Sequence, residues 1–168
     1  MAWLTNGHIK WTMFKLSIEL RIYMQLTHYT DYSLRVLVYL ALKKNKSVTI
    51  SEIADYYKIS RNHLVKIVNN LANLGYITTI RGKGGGMHLA LPADEINIGE
   101  VIRNVEPHFD IVECFSEDHT DCRIEPICKL KRVLQTATHS FLAELDQYSL
   151  QEVISNRNIN KISIASIR

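Results

Sequence analysis

The residues best suited to chemistry are three cysteines, Cys114, Cys122 and Cys128, spaced Cys-x7-Cys-x5-Cys. Between them run Phe115-Ser-Glu-Asp-His-Thr-Asp121 and Arg123-Ile-Glu-Pro-Ile127, a polar and acidic stretch. Free cysteines usually serve as small core hydrophobes, a role that does not suit such a loop. Thiolates are soft ligands for metals and for iron–sulfur clusters, and an irregular loop can wrap either. Three ligands leave a fourth to be found. His119 would complete a tetrahedral zinc site; an oxygen ligand from elsewhere would complete a cluster. Spacing alone leaves both open. Three is also an odd number of cysteines, and residues 1–23 carry Lys10, Lys15, Glu19 and Arg21 through any would-be apolar signal core. The reading is reduced thiols in a cytoplasm, not a disulfide framework.

A second set of residues suits nucleic acid. Ser60, Arg61, Asn62, His63, Lys66 and Asn69 fall on one side of a helical repeat whose other side is Leu64, Ile67, Val68 and Leu71. Arginine can bond guanine, and asparagine adenine, through two hydrogen bonds each. Ser60, at the helix start, is placed to meet a phosphate. Further on comes Arg81-Gly-Lys-Gly-Gly-Gly86 and then His88. Arg81, Lys83 and His88 supply cationic or polar contacts. Gly84 and Gly85 let the backbone approach a phosphate or enter a narrow minor groove. Charge follows the same division. Residues 24–92 hold nine Lys/Arg against three Asp/Glu; residues 93–128 hold two against ten. The first block is fitted to an anionic partner and the second is not.

These side chains need elements to hold them. Leu34, Val36, Leu37, Leu40 and Ala41 predict a first helix, with Thr30 or Asp31 as its cap. Ile50, Ile53, Ala54 and Tyr57 predict a second, starting near Thr49 or Ser51. After Lys58-Ile59, Ser60 caps the third helix, and Gly75 closes it. Tyr76–Ile80 and Met87–Leu91 predict two strands around the glycine-rich tip. Helix, helix, turn, helix, hairpin is the winged-helix order. Ile98–Val105 predicts a short helix closed by Pro107. A long helix follows from about Pro126 to Gln147, apolar at Leu130, Val133, Leu134, Ala137, Phe141 and Leu145. A short helical segment (Ser149–Ile154) and a polar tail end the chain.

The fold class is therefore mainly α with a small β-hairpin wing. Its expected parts are a leader of uncertain status (1–23), a winged helix-turn-helix DNA-binding domain (24–105), a cysteine loop (106–128), a dimerisation helix region (129–155) and a tail (156–168). At 46% hydrophobic and 22% charged, the chain has the composition of a folded globular protein. No run approaches the length of a membrane span. Nothing pairs a nucleophile with a base at telling spacing, so an enzyme is not expected.

Met24-Gln-Leu-Thr-His-Tyr-Thr-Asp31, Ile59-Ser-Arg-Asn-His-Leu-Val-Lys66, Gly75-Tyr-Ile77, Arg81-Gly-Lys-Gly-Gly-Gly86 and the three cysteines together resemble the bacterial winged-helix iron–sulfur regulators. The resemblance runs from Met24 to about Ile154. It is strongest to the branch that senses nitric oxide, through Ser60-Arg61-Asn62-His63 and the Thr30-Asp31 pair. It implies a homodimeric repressor of double-stranded operator DNA, inactivated by nitric oxide. It also implies a 2Fe–2S or 4Fe–4S cluster on Cys114, Cys122 and Cys128, with Asp31 as fourth ligand in trans from the other subunit. The branch that governs iron–sulfur assembly resembles it less. That branch has a histidine ligand three residues after the third cysteine, where this chain has Lys131. The alternatives are an iron- or redox-responsive regulator of the same fold, or a zinc-bound one.

Overall fold

A computed structural model describes residues 25–43, 46–82, 84–116 and 122–155. The leader, the tail, Lys83 and His119 lie outside the described residues.

Six α-helices and one hairpin make up the described fold. They are α1 (His28–Leu42), α2 (Ile50–Tyr57), α3 (Arg61–Asn73), β1 (Ile77–Ile80), β2 (Gly86–Leu89), α4 (Ile98–Val105), α5 (Lys129–Leu145) and α6 (Leu150–Ile154). Two 3-10 turns, Glu113–Phe115 and Glu125–Ile127, interrupt the cysteine loop. This is the winged helix-turn-helix order expected from the sequence.

The core forms around α1. Val36 and Leu37 are fully buried there, beside Leu64, Ile67 and Leu71 of α3, Val101 and Ile102 of α4, and Leu150 of α6. α1 touches α3, α4, α6 and β2. Each fully buried aliphatic side chain contributes roughly 1.5–3 kcal/mol relative to exposure.

The helix ends follow local chemistry. Thr49 caps α2 by accepting from the Glu52 amide. Asn97 does the same for α4 with Glu100. Ser149 and Glu152 form a reciprocal capping box on α6. Ser60 holds the cap position of α3, yet its side chain makes no capping hydrogen bond.

Two helix starts differ from the sequence reading. α1 begins at His28, capped by the Thr27 hydroxyl, which accepts from the Thr30 amide at 3.3 Å. The apolar stripe misplaced this start because the first two turns bury Thr30 and Ser33, both polar. Ser33 satisfies its hydroxyl by donating to the Tyr29 carbonyl at 2.8 Å. α5 starts at Lys129, not near Pro126. Cys128 is extended there (φ −71°, ψ 109°) and separates α5 from the preceding 3-10 turn.

The hairpin is antiparallel, with Thr78 opposite His88 and Thr79 opposite Met87. Val48, just before α2, adds a bridge to Met87 through bonds of 3.0 and 2.8 Å. The wing is thus anchored to the helix-turn-helix on its inner side. At the other end, Arg103 of α4 grips Asp146 after α5 with two bonds, 2.5 and 2.6 Å. The pair holds the Arg103 guanidinium above its ordinary range and the Asp146 carboxyl below its own.

The turn between α2 and α3 contains one residue in the left-handed region, Lys58 (φ 57°, ψ 40°). A side chain there costs about 1–2 kcal/mol through its Cβ. Lys58 is exposed, so truncation loses no packing. Lys58→Gly should therefore raise stability by about 0.5–1 kcal/mol, part of the relief being offset by chain entropy. Thermal denaturation reads this, and a lower melting temperature would refute the strain.

Candidate nucleic-acid interface and cysteine loop

The α2–turn–α3 geometry turns the polar side of α3 outward. Arg61, Asn62, His63, Lys66 and Asn69 are all exposed, while Leu64, Ile67, Val68 and Leu71 are buried. Val65, 42% exposed, joins the outward face between Arg61 and Asn69. Sequence reasoning missed it because it is apolar, although its helical spacing from Arg61, Asn62 and Asn69 was a usable signal. Ser60 is exposed at the N-terminus of the same helix.

The wing adds Arg81 and Gly84, both exposed, and Gly85 and His88, both half-buried. Met87 points into the core, so its neighbour His88 lies on the other face of the hairpin. Gly84 has a positive φ of 81°. Gly85 closes the tip by donating to the Gly82 carbonyl at 2.9 Å. A Cβ on Gly85 would collide with the Ile80 and Gly82 carbonyl oxygens.

The cysteine loop runs from the end of α4 to the start of α5. Cys114 and Cys128 are half-buried, Cys122 is exposed, and none is in a disulfide. The three sulfurs share one loop but not one shell. Among the described residues, no group of three His, Cys, Asp or Glu side chains could hold a metal ion as placed. The chemistry of the donor set nevertheless fits an iron–sulfur cluster. None of the three sulfurs is tied up in a disulfide, and Cys128 caps α5 with its sulfur, which accepts from the Lys131 amide at 3.4 Å. Backbone N–H groups at a helix start favour an anionic group. Lys131 is paired with Glu125 at 2.6 Å. Its ammonium is held above its ordinary range, first by that hydrogen bond and in smaller part by the nearby sulfurs of Cys114 and Cys128.

Asp31 stands apart from these sulfurs, on the first turns of α1. Both its oxygens are held by the Arg35 guanidinium, at 2.9 and 2.8 Å. That guanidinium also lies 5.8 Å from the Tyr32 ring centroid and 5.7 Å from that of Tyr57. Burial pushes the Tyr57 phenol up to about 12.

Two further residues escaped the sequence reading. Glu106, at the head of the cysteine loop, accepts from the Thr27 amide and hydroxyl, each at 3.1 Å. Tyr29 donates from its hydroxyl to the Lys66 carbonyl of α3 at 3.4 Å. Neither contact carries a local sequence signal, since the partners are 79 and 37 positions apart.

α5 exposes much of its apolar side. No residue on it is buried, and Leu130 and Val133 are more than 60% exposed. Only Leu142 and Leu145 pack against the core. Beside α5 lies an apolar cleft of about 490 Å³, lined by Leu26, Phe109, Ile111, Leu134 and Phe141 among others. Among the described residues, no helix is long and apolar enough to cross a membrane.

Comparison with known proteins gives a consistent picture. The model of the Rrf2 family, described as an iron-dependent transcriptional regulator, matches residues 26–156. The HTH-type transcriptional regulator NsrR of Bacillus licheniformis is 52% identical over 136 residues, covering 80% of this chain and 95% of that protein. NsrR of Bacillus subtilis is 49% identical over 135 residues, covering 80% and 92%. The oxidized form of Staphylococcus aureus CymR superposes with a TM-score of 0.63 at 25% identity, covering 79% and 98%.

The collision at the wing tip gives a direct test. Gly85→Ala should destabilise the protein by about 1–3 kcal/mol, as overpacking does, and should weaken binding to duplex DNA. Thermal melts and DNA titrations measure the two effects. Wild-type values in both would mean that the tip is not held closed at Gly85.

Proposed function

The chain belongs to the Rrf2 family of transcriptional regulators, and from that premise we propose that it is an iron–sulfur repressor released from its operator by nitric oxide. One observation carries the proposal. A chain about half identical to regulators named NsrR carries three free cysteines on the loop that joins its DNA-binding unit to an exposed helix.

α3 lies in the major groove, where Arg61, Asn62, His63, Lys66 and Asn69 meet base edges and phosphates. Val65 offers its methyls to a thymine methyl. Ser60 and the wing residues Arg81, Lys83, Gly84, Gly85 and His88 fix the register on the backbone. Two copies pair through the exposed apolar side of α5, an isologous interface that sets the distance between the two reading helices. The operator is accordingly near-palindromic.

Cys114, Cys122 and Cys128 would hold the cluster, with the α5 N-terminus and Lys131 countering its charge. Asp31 of the other subunit would be the fourth ligand, giving up at least one of its two bonds to Arg35. When bound, the cluster would supply iron as the point at which nitric oxide acts. With Asp31 on Arg35 and the loop free, the two reading helices would lose their common spacing. The signal acts only through its different affinity for the two arrangements. A difference of about 3–4 kcal/mol lowers operator affinity a few hundredfold.

Two outcomes follow. Purified without oxygen, the protein should be brown, and nitric oxide should change its visible spectrum and release the operator. Cys122→Ala should abolish both colour and tight binding. Tight, nitric-oxide-responsive binding by that variant would sink the proposal, and a colourless wild-type protein holding zinc would leave only the regulator. Separately, Arg61→Ala should cost about 1–3 kcal/mol at one base position. A uniform loss over all sequences would make Arg61 a phosphate contact instead.

A further inference from the structure

The proposed signal must cross from the cysteine loop to α3 within each subunit. The loop begins at Glu106, which follows the last residue of α4. Its carboxylate sits on the N-terminus of α1, accepting from the Thr27 amide and hydroxyl at 3.1 Å each. Thr27 in turn caps α1 by accepting from the Thr30 amide. Thr30 is fully buried, so this turn cannot move without disturbing the core. One residue earlier, Tyr29 reaches the other way, to the Lys66 carbonyl on α3 at 3.4 Å. The Asn70 side chain faces the same hydroxyl. The first turn of α1 therefore touches the cysteine loop through Glu106 and the middle of α3 through Tyr29.

We propose that Glu106 and Tyr29 are positioning residues that relay the state of the cysteine loop to the reading helix through the first turn of α1. The inference rests on the cluster-dependent repressor proposed above. It adds a route inside one subunit, separate from the ligand Asp31 donated by the other. Glu106 acts as a clamp. With the three sulfurs apart, as in this structure, the carboxylate rests on Thr27; ligation that drew the loop together would pull the carboxylate off Thr27 and loosen the cap. Tyr29 carries the movement because its ring is half-buried against α3 while its hydroxyl bonds the backbone of Lys66, a residue on the outward face. The relay needs only hydrogen-bond geometry and shifts the same helix that places Arg61 and Asn69.

Two conservative variants test it. Tyr29→Phe removes one hydroxyl, and Glu106→Gln keeps the size but weakens acceptance. Operator affinity is measured for each with the cluster loaded and after its removal. Both variants should keep the wild-type cluster spectrum. Each should narrow the loaded-to-free affinity ratio roughly three- to tenfold, the worth of about one net hydrogen bond. An unchanged ratio in both overturns the relay. A second measurement uses the cluster-free protein and does not depend on the proposed function. In Glu106→Gln, amide hydrogen exchange should quicken at residues 27–31 and also at 66–70. Faster exchange confined to 27–31 would overturn the relay while leaving cluster-dependent repression standing. A wild-type protein whose operator affinity ignores the cluster, with exchange spreading as expected, would instead overturn the function and keep the mechanical link.

Discussion

The rest of the structure depends on the burial of α1. Val36, Leu37, Leu40 and Ala41 occupy the centre, and α3, α4, α6 and β2 all pack on that one helix. The helix-turn-helix leans on it through α3, the wing through β2, and the C-terminal part through α4 and α6. An interior packed at crystal-like density does not deform smoothly. A shift at the start of α1 is therefore shared among its neighbours. This is why the polar first two turns, with Thr30 and Ser33 buried and satisfied, matter beyond their own stability.

Much of this was legible in the sequence. α3 was clear because Leu64, Ile67, Val68 and Leu71 repeat at helical spacing and are all buried. The hairpin was legible from the aromatic and β-branched run Tyr76–Ile80, a glycine-rich tip and the short run Met87–Leu91 after it. The small helices α4 and α6 lie where Ile98–Val105 and Ser149–Ile154 were read as helical, and their caps, Asn97 and Ser149, need only local partners. What was hidden depends on distant partners. The true start of α1 is fixed by Thr27 together with Glu106, and by two buried polar residues that interrupt the apolar stripe. The start of α5 was misplaced because Pro126 looks like a first helical residue, whereas it lies in a 3-10 turn that ends at an extended Cys128. Of the two candidate sites, the polar face of α3 could be read directly. The setting of Cys128 as a helix cap could not.

Charge and hydrophobicity divide the molecule by task. The basic block carries α3 and the wing, where an anion is to be met. The acidic block carries the cysteine loop, where surplus negative charge keeps DNA phosphates away from the thiols. α5 then leaves Leu130 and Val133 exposed beside an apolar cleft. Scattered surface leucines need no explanation, but a contiguous apolar side along one helix does. A second copy of the same chain covers it under the proposed function, and the stability of each winged helix does not depend on it because the core closes without α5's exposed side.

The energetic scale also favours a device made of several weak contacts. The bonds at issue, Glu106 to Thr27, Tyr29 to Lys66 and Arg35 to Asp31, are each half-exposed or exposed. Exposed ion pairs and single hydrogen bonds are worth about 1 kcal/mol or less in net terms. No one of them could account for the few-hundredfold change in affinity proposed above. Several acting on one rigid helix, counted twice in the proposed dimer, can reach about 3–4 kcal/mol. Stronger links would be counterproductive. Under the proposed function, a much stronger link would fix one arrangement of the reading helices whatever the state of the cysteine loop. The weak polar first turn of α1, set on a strongly buried helix, gives a joint that can be released without unfolding the protein.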